Sequence, residues 1–303
     1  MATTITPPAP YSSVKESLIF EFDKATSGII EVSVDNYVKQ LPKNAYKVNV
    51  AHYYQDSFSI RPIDDDFVSV LHVFGGLDYS RVIEASITAD WVESDSVPVI
   101  YADKRPQANR FMSDLRRRTI MPGQIDELPV YVTAPAVVTY GAISVPISEG
   151  ISYVGFQVPS DAPARFSVEM RTPGGEVLDR VEYEIEETDG VRLAWINAYG
   201  QIDYWNFAVR RKSTTKITKE KIYTESGYTS TSMQVDTTDT AISRPLPEAL
   251  TDVLCQMFVA EDVWRIDNKV AHRIDITSES ITTYEAEKLS SIQVEYRNKI
   301  REL

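Results

Sequence analysis

The chain has 303 residues with 44 acidic and 31 basic side chains, a formal charge of −13, and a single cysteine. That length points to two or three domains of about 100–150 residues, and 43% hydrophobic with 25% charged residues describes a chain that buries a core rather than one that stays disordered. The acidic balance repels a phosphate backbone and makes nucleic acid an unexpected partner. A lone Cys255 excludes an intramolecular disulfide and a multi-cysteine zinc site, which suits a reducing cytoplasm.

The opening MATTITPPAP has neither the basic start nor the apolar run of a secretory signal, and no stretch approaches the roughly 20 apolar residues that span a bilayer. No membrane partner is expected. Residues 1–13, with Pro7, Pro8 and Pro10 and few apolar side chains, are predicted to form an extended arm that orders only against a neighbour.

Short strand patterns follow: SLIFEF (17–22), IIEVSV (29–34), YKVNVAHYY (46–54), FVSVLHVF (67–74) and RVIEASITADW (81–91). Their alternation with period two predicts a first β domain over 14–103. Residues 104–128 are basic and broken by Pro106, Pro122 and Gly123, which reads as an inter-domain connection with one helical turn near 109–115. A second β domain is expected over 129–303. It begins with PVYVTAP (129–135), ISYVGFQVP (151–159), ARFSVEM (164–170) and VLDRVEYEIEE (177–187), with Gly174 and Gly175 marking a hairpin turn between the last two.

VRLAWINAYGQIDYWNFAVRRK (191–212) reads as two strands around a turn and is the most aromatic stretch of the chain. Trp195, Ile196, Tyr204, Trp205 and Phe207 are expected to pack across that hairpin, with Asn197 and Asp203 bonding the turn's backbone near Gly200. The rival reading is a stacking platform for a sugar. The polar tract 213–243 is predicted to be a long hairpin that stands off the domain and pairs with an adjacent subunit, with Tyr223 and Tyr228 among its few apolar anchors. Leu246, Leu250, Val253, Leu254, Met257 and Phe258 fall at helical spacing and predict one principal helix over 245–261. VWRID (263–267), VAHRIDIT (270–277) and SIQVEYRNKI (291–300) return to strand patterns. The fold class is therefore mainly β: two β-sandwich-like domains, one principal helix and an extended polar hairpin.

The residues supply little chemistry. His52, His72 and His272 lie far apart, without HExxH or any paired ligand spacing. Asp64, Asp65 and Asp66, and Glu184, Glu186 and Glu187, are adjacent acids such as 44 acids produce by chance, and IDDDF lacks the spaced ligands and glycine of a calcium loop. Gly75-Gly76 and Gly174-Gly175 precede no Lys-Ser/Thr pair, and Cys255 sits in an apolar helical stripe where an inert thiol is expected. No catalytic activity and no cofactor or metal are expected. Two basic clusters stand out on the acidic background, Arg116, Arg117 and Arg118, and Arg210, Arg211 and Lys212. Taken alone, each is read first as solvent exposure beside a strand end, against a patch that docks another subunit or a phosphate backbone, and of those two partners the overall charge favours a protein interface.

LAWINAYGQIDYWNF (193–207), the basic strand end and polar tract after it, and PLPEALTDVLCQMFVAEDVWRID (245–267) together resemble tail-associated structural proteins of phages and prophages of Bacteroidota. RFMSDLRRRTIMPGQIDEL (110–128) is similar to their inter-domain segment. The likeness covers about the C-terminal two thirds, and Ala198-Tyr199 departs from the more basic pair expected there. It implies a virion component of β-sandwich domains, made in the bacterial host cytoplasm, whose partners are copies of itself and other virion proteins in a tail, neck ring, baseplate or fibre. The alternative is a carbohydrate-binding surface or fibre module.

Overall fold

The computed structural model describes residues 3–26, 28–34, 37–41, 45–62, 71–75, 81–186, 190–267, 269–278 and 289–298, with positions 75 and 209–212 described by backbone alone. The fold is mainly β, with 57% of the described residues in strands against 7% in helices, as the alternating patterns predict. Asp64, Asp65, Asp66, Gly76 and Glu187 lie outside the described residues.

The N-terminal unit wraps small sheets around Phe20, Phe22, Ile30, Val48, Ile87 and Val99. Its first residues are not a free arm. Ile5–Thr6 pairs with Ile19–Phe22, and Ser12–Ser13 runs parallel to Val97–Ile100. Thr3 and Ile5 are buried, and Tyr11 N–H donates to the Pro98 carbonyl at 2.6 Å. Pairing within the chain satisfies the backbone of these residues, so one inward isoleucine is enough to hold them. The strand expected over 46–54 stops at Lys47–Asn49 and continues as a helical turn, Ala51–Tyr54. Asn49 explains the switch, because its Oδ1 accepts the Leu18 and Ala51 N–H groups, both at 3.0 Å.

The chain then leaves this unit and returns. Leu71–Gly75 pairs with Gly150–Gln157 in a sheet ordered Arg110–Phe111, Ile125–Val132, Gly150–Gln157, Leu71–Gly75. Val82–Ala85 is back in the first unit against Val97–Ile100. Leu71 belongs to the core of the middle sandwich, which corrects the boundary expected at 103.

Residues 104–128 are not a connection either, since Arg110–Phe111, Arg117–Ile120 and Ile125–Val132 are strands and 109–115 forms no helical turn. Arg117–Ile120 runs parallel to Val177–Ile185 at the edge of a sheet that continues with Arg165–Arg171, Ala136–Tyr140 and Ile143–Ile147. The two sheets enclose Ile120, Leu128, Val138, Phe156, Val168 and Tyr183, with Phe166 stacked on Tyr183 at 5.0 Å between ring centroids. Gly175, at φ +91°, makes the expected turn between Arg165–Arg171 and Val177–Ile185.

The span 129–303 holds a second architecture with its own core. Seven antiparallel strands run in the order Ile202–Phe207, Val191–Ile196, Val263–Asp267, Val270–Ile276, Gln293–Asn298, Gly227–Ile242, Val209–Thr224. One face packs Leu193, Trp195, Trp205, Phe207, Val294 and Tyr296 against Leu254 and Met257 of the helical segment. That helix is shorter than the apolar stripe predicts, Glu248–Leu254, and it tightens to a 3₁₀ turn over Cys255–Val259 before Ala260 turns extended.

Candidate assembly interface

The last two strands of the seven-stranded sheet, Val209–Thr224 and Gly227–Ile242, have 16 residues each and close on each other through a turn at Gly227, φ +102°. Gly227–Ile242 pairs with Gln293–Asn298 only through Asp239, Thr240, Ala241 and Ile242. Beyond that point, among the described residues, the two strands pair only with each other. At about 3.3 Å per residue, this free ribbon stands roughly 35 Å off the sheet. Thr and Ser dominate it, and their β preference keeps it extended where it has no core to lie on. The hairpin predicted over 213–243 is present.

The ribbon has two unlike faces. Ile217, Lys219, Lys221 and Tyr223 follow with period two along the first strand, and their cross-strand partners are Val235, Met233, Ser230 and Tyr228. A bulge after Glu220 absorbs one residue of the second strand and keeps Tyr223 opposite Tyr228. This face carries five apolar side chains and two lysines. Tyr223 and Tyr228, each 76% exposed, meet edge to face at 5.2 Å, and Ile217, Met233 and Val235 are exposed too. The other face pairs Lys216 with Asp236, Thr218 with Gln234 and Glu220 with Ser232, and Ile222 is its apolar member. A two-stranded ribbon is marginal alone, and an apolar stripe with two open strand edges is the form that β-augmentation and docking use.

The basic clusters divide. Arg118 is no docking residue, because it is fully buried and bonded to carboxylates from two elements. The eBiB burial of Arg117–Ile120 points Arg118 inward beside Ile120. Arg118 donates to Asp126 Oδ1 at 3.1 Å, to Asp203, and to Ser113 Oγ at 3.2 Å. Its exposed neighbours are engaged within the chain: Arg116 pairs with Asp179 at 2.7 Å and Arg117 with Glu184 at 2.5 Å. The side chains of Arg210, Arg211 and Lys212 lie outside the described residues, although their backbone belongs to the first ribbon strand.

Arg118 is one of three buried arginines facing three buried carboxylates where the sandwich meets the C-terminal sheet. Arg81 reaches Glu127 at 3.1 Å, and Arg192 lies 3.7 Å from Asp126. Tyr204 donates to Glu127 at 2.9 Å, and Tyr153 to Gln201 at 2.7 Å. Burial works against the charge on Arg118, and Asp126 and Asp203 beside it outweigh that, so its pKa rises. Burial lifts Glu127 and Asp203 above the ordinary carboxylate range, with Arg81 and Arg118 opposing the shift. Nothing in the composition announces this cluster. The only trace is acid and base at inward positions of alternating strands.

The aromatic motif is a joint between units. Trp195, Tyr204, Trp205 and Phe207 are buried, so they offer no ring face for a sugar to stack on. Asn197 bonds the turn as expected, its Oδ1 accepting Tyr199 N–H at 2.9 Å and Gln201 N–H at 3.1 Å, and its Nδ2 donates to the Met112 carbonyl at 3.0 Å. Among the described residues, Asp203 meets the turn through the Asn197 side chain rather than through its backbone. It accepts from Ser113 and Arg118, across to the sandwich. Gly200 holds φ +67° against the Tyr101 carbonyl of the N-terminal unit.

Among the described residues no group of three or more His, Cys, Asp or Glu side chains could hold a metal ion, and no helix is long and apolar enough to cross a membrane. Cys255 is half-buried, and burial pushes its thiol pKa up.

No family model matches the chain, and no curated protein matches it. Among solved structures it is similar to the Bacteroides ovatus mixed-linkage glucan utilization locus protein SGBP-B in complex with a mixed-linkage heptasaccharide, at 9% identity and a TM-score of 0.23, over 82% of this chain and 68% of that one. It is also similar to the full extracellular region of plexin A4, at 8% identity and a TM-score of 0.18, over 98% of this chain and 40% of that one. Scores this low carry no argument about what the chain does.

Proposed function

We propose that the protein is a non-catalytic structural subunit that acts by assembly, with the ribbon of residues 209–242 as its connecting element. The observation that carries this reading is the ribbon's exposed apolar face, with Ile217, Tyr223, Tyr228, Met233 and Val235 on a projection that, among the described residues, pairs only with itself. Such a face is an aggregation hazard unless a partner covers it. The resemblance of residues 193–207 and 245–267 to tail-associated phage proteins supports a virion as the assembly, with this chain repeated in a tail, neck ring or baseplate.

Deleting residues 216–239 tests the reading. The shortened chain keeps its circular dichroism spectrum and sediments as a monomer, while the full chain forms larger species as concentration rises. Equal sedimentation of the two chains would defeat the proposal. Imaging of the particles tests the virion placement, which requires density for many symmetric copies.

A further inference from the structure

The occupant of the ribbon's apolar face can be argued from charge and shape, on the footing of the assembly reading above. Residues 209–242 hold six basic and four acidic side chains, a net +2, which leaves −15 on the rest of a chain whose total is −13. On the apolar face the two charges are Lys219 and Lys221, with no carboxylate among their cross-strand partners. The face therefore fits an apolar surface with an acidic border.

The N-terminal unit offers such a surface. Its sheet is ordered Val92–Glu93, Ile87–Ala89, Ile29–Val32, Tyr37–Gln40. Ile30 and Val32 point into the core, and the alternation turns Ile29 and Glu31 outward. The register sets Glu31 against Val38 on one side and Thr88 on the other, with Glu93 next in the row. Ile29 and Val38 are exposed there, flanked by the exposed Glu31 and Glu93.

One corner of this sheet is unusual. Asp90 at φ 51° and Trp91 at φ 64° form the two-residue turn between Ile87–Ala89 and Val92–Glu93. Such turns favour Asn and Gly, and a bulky aromatic in the left-handed region costs about 1 kcal/mol or more. Trp91 is 98% exposed, so no packing among the described residues repays that strain. A tryptophan held outward in this way suits a contact with another molecule.

We infer that the apolar, lysine-bearing face of the ribbon docks on the outer face of the N-terminal sheet of a second copy, with Lys219 and Lys221 meeting Glu31 and Glu93 and Trp91 closing over the ribbon. The two surfaces differ, so the contact is head to tail and propagates as a ring or a filament. Opposite charge sets its register.

A charge-swap series on the full chain, read by sedimentation velocity, tests the contact. Lys219→Glu with Lys221→Glu, and separately Glu31→Lys with Glu93→Lys, each weaken self-association about tenfold, and the four changes together restore it to within about threefold. All the residues changed are on the surface, and circular dichroism verifies the fold. Weakening by the ribbon pair alone, or failure of the fourfold variant to recover, would overturn this docking site and leave the assembly reading intact. Loss of association on ribbon deletion without any response to the charge changes would do the same. A full chain that stays monomeric at every concentration would overturn both.

Discussion

Arg118 and Asp203 form a fully buried ion pair between strands 85 residues apart in the chain, and with it the sandwich is tied to the C-terminal sheet. Replacing Arg118 with methionine keeps most of the side-chain volume but leaves Asp203 buried without the arginine it pairs with, while Asp126 keeps Arg192 at 3.7 Å. Breaking a buried pair from one side costs about 3–5 kcal/mol. Urea denaturation of Arg118→Met should show a loss of that order. A loss under about 1 kcal/mol, typical of surface pairs, would mean that water reaches the cluster.

Glu184 gives stability a pH dependence of known sign. The hydrogen bond from Arg117 lowers its pKa, a little burial opposes that, and Arg165 at 3.3 Å adds to the lowering. A carboxylate with a depressed folded pKa stabilises above its unfolded value, about 4.3, and that contribution is lost as pH falls through the folded value. The group is partly solvated, so the effect is at most about 1 kcal/mol. Glu184→Gln should therefore be less stable than the parent at pH 7 and equal to it near pH 2, in chemical denaturation at both values. A difference that persists undiminished at low pH would assign the effect to packing.

Gly200 is needed for two separate reasons. Its φ of +67° strains any side chain, and a Cβ there would sit 1.7 Å from the Tyr101 carbonyl oxygen. The backbones of the aromatic turn and of the N-terminal unit touch at this point, and Asp103 and Lys104 N–H groups both donate to the Ala198 carbonyl at 2.8 Å. Gly200→Ala should separate them and lower stability by more than the roughly 1 kcal/mol of the backbone conformation alone. Thermal unfolding of the variant measures this, and a shift no larger than that of Gly123→Ala, where a Cβ meets open space at φ +81°, would show that the contact yields.

Period-two alternation and turn residues made the strand content, the Gly175 hairpin and the ribbon legible in the sequence, because each depends on residues close together in the chain. The unit boundaries depend on long-range pairing and were not legible. Leu71–Gly75 alternates like its neighbours in sequence, and only its pairing with Gly150–Gln157 removes it from the first unit. At Arg117–Ile120 the basic run Arg116, Arg117 and Arg118 masked an eBiB strand, since an arginine inside a core is expected only where carboxylates await it. Asp126 and Asp203, which make Arg118 an interior residue, are 8 and 85 positions away. Of the candidate interface, Tyr223 and Tyr228 were visible as apolar points in a polar tract. Trp91 was not, because its exposure depends on a left-handed turn in what reads as a continuous strand.

The ribbon's own backbone should report whether it is covered. Among the described residues its inter-strand hydrogen bonds have no core beneath them, and a two-stranded hairpin of this kind opens at a free-energy cost well below that of global unfolding. In dilute solution, amides of residues 214–224 and 227–238 should exchange with deuterium far faster than those of Val191–Ile196, which lies between two strands and is buried along its length. Docking on a neighbour removes water from one face and holds the strands together. The ribbon amides should then slow by about tenfold or more as the protein is concentrated into its assembled form, while those of Val191–Ile196 stay unchanged. Bulge geometry sharpens the expectation, since the register break after Glu220 is the weakest part of the ladder and should show the largest gain. Exchange in the ribbon that is equally fast in the dilute and concentrated samples, while the sedimenting species grow, would mean that assembly proceeds through another surface.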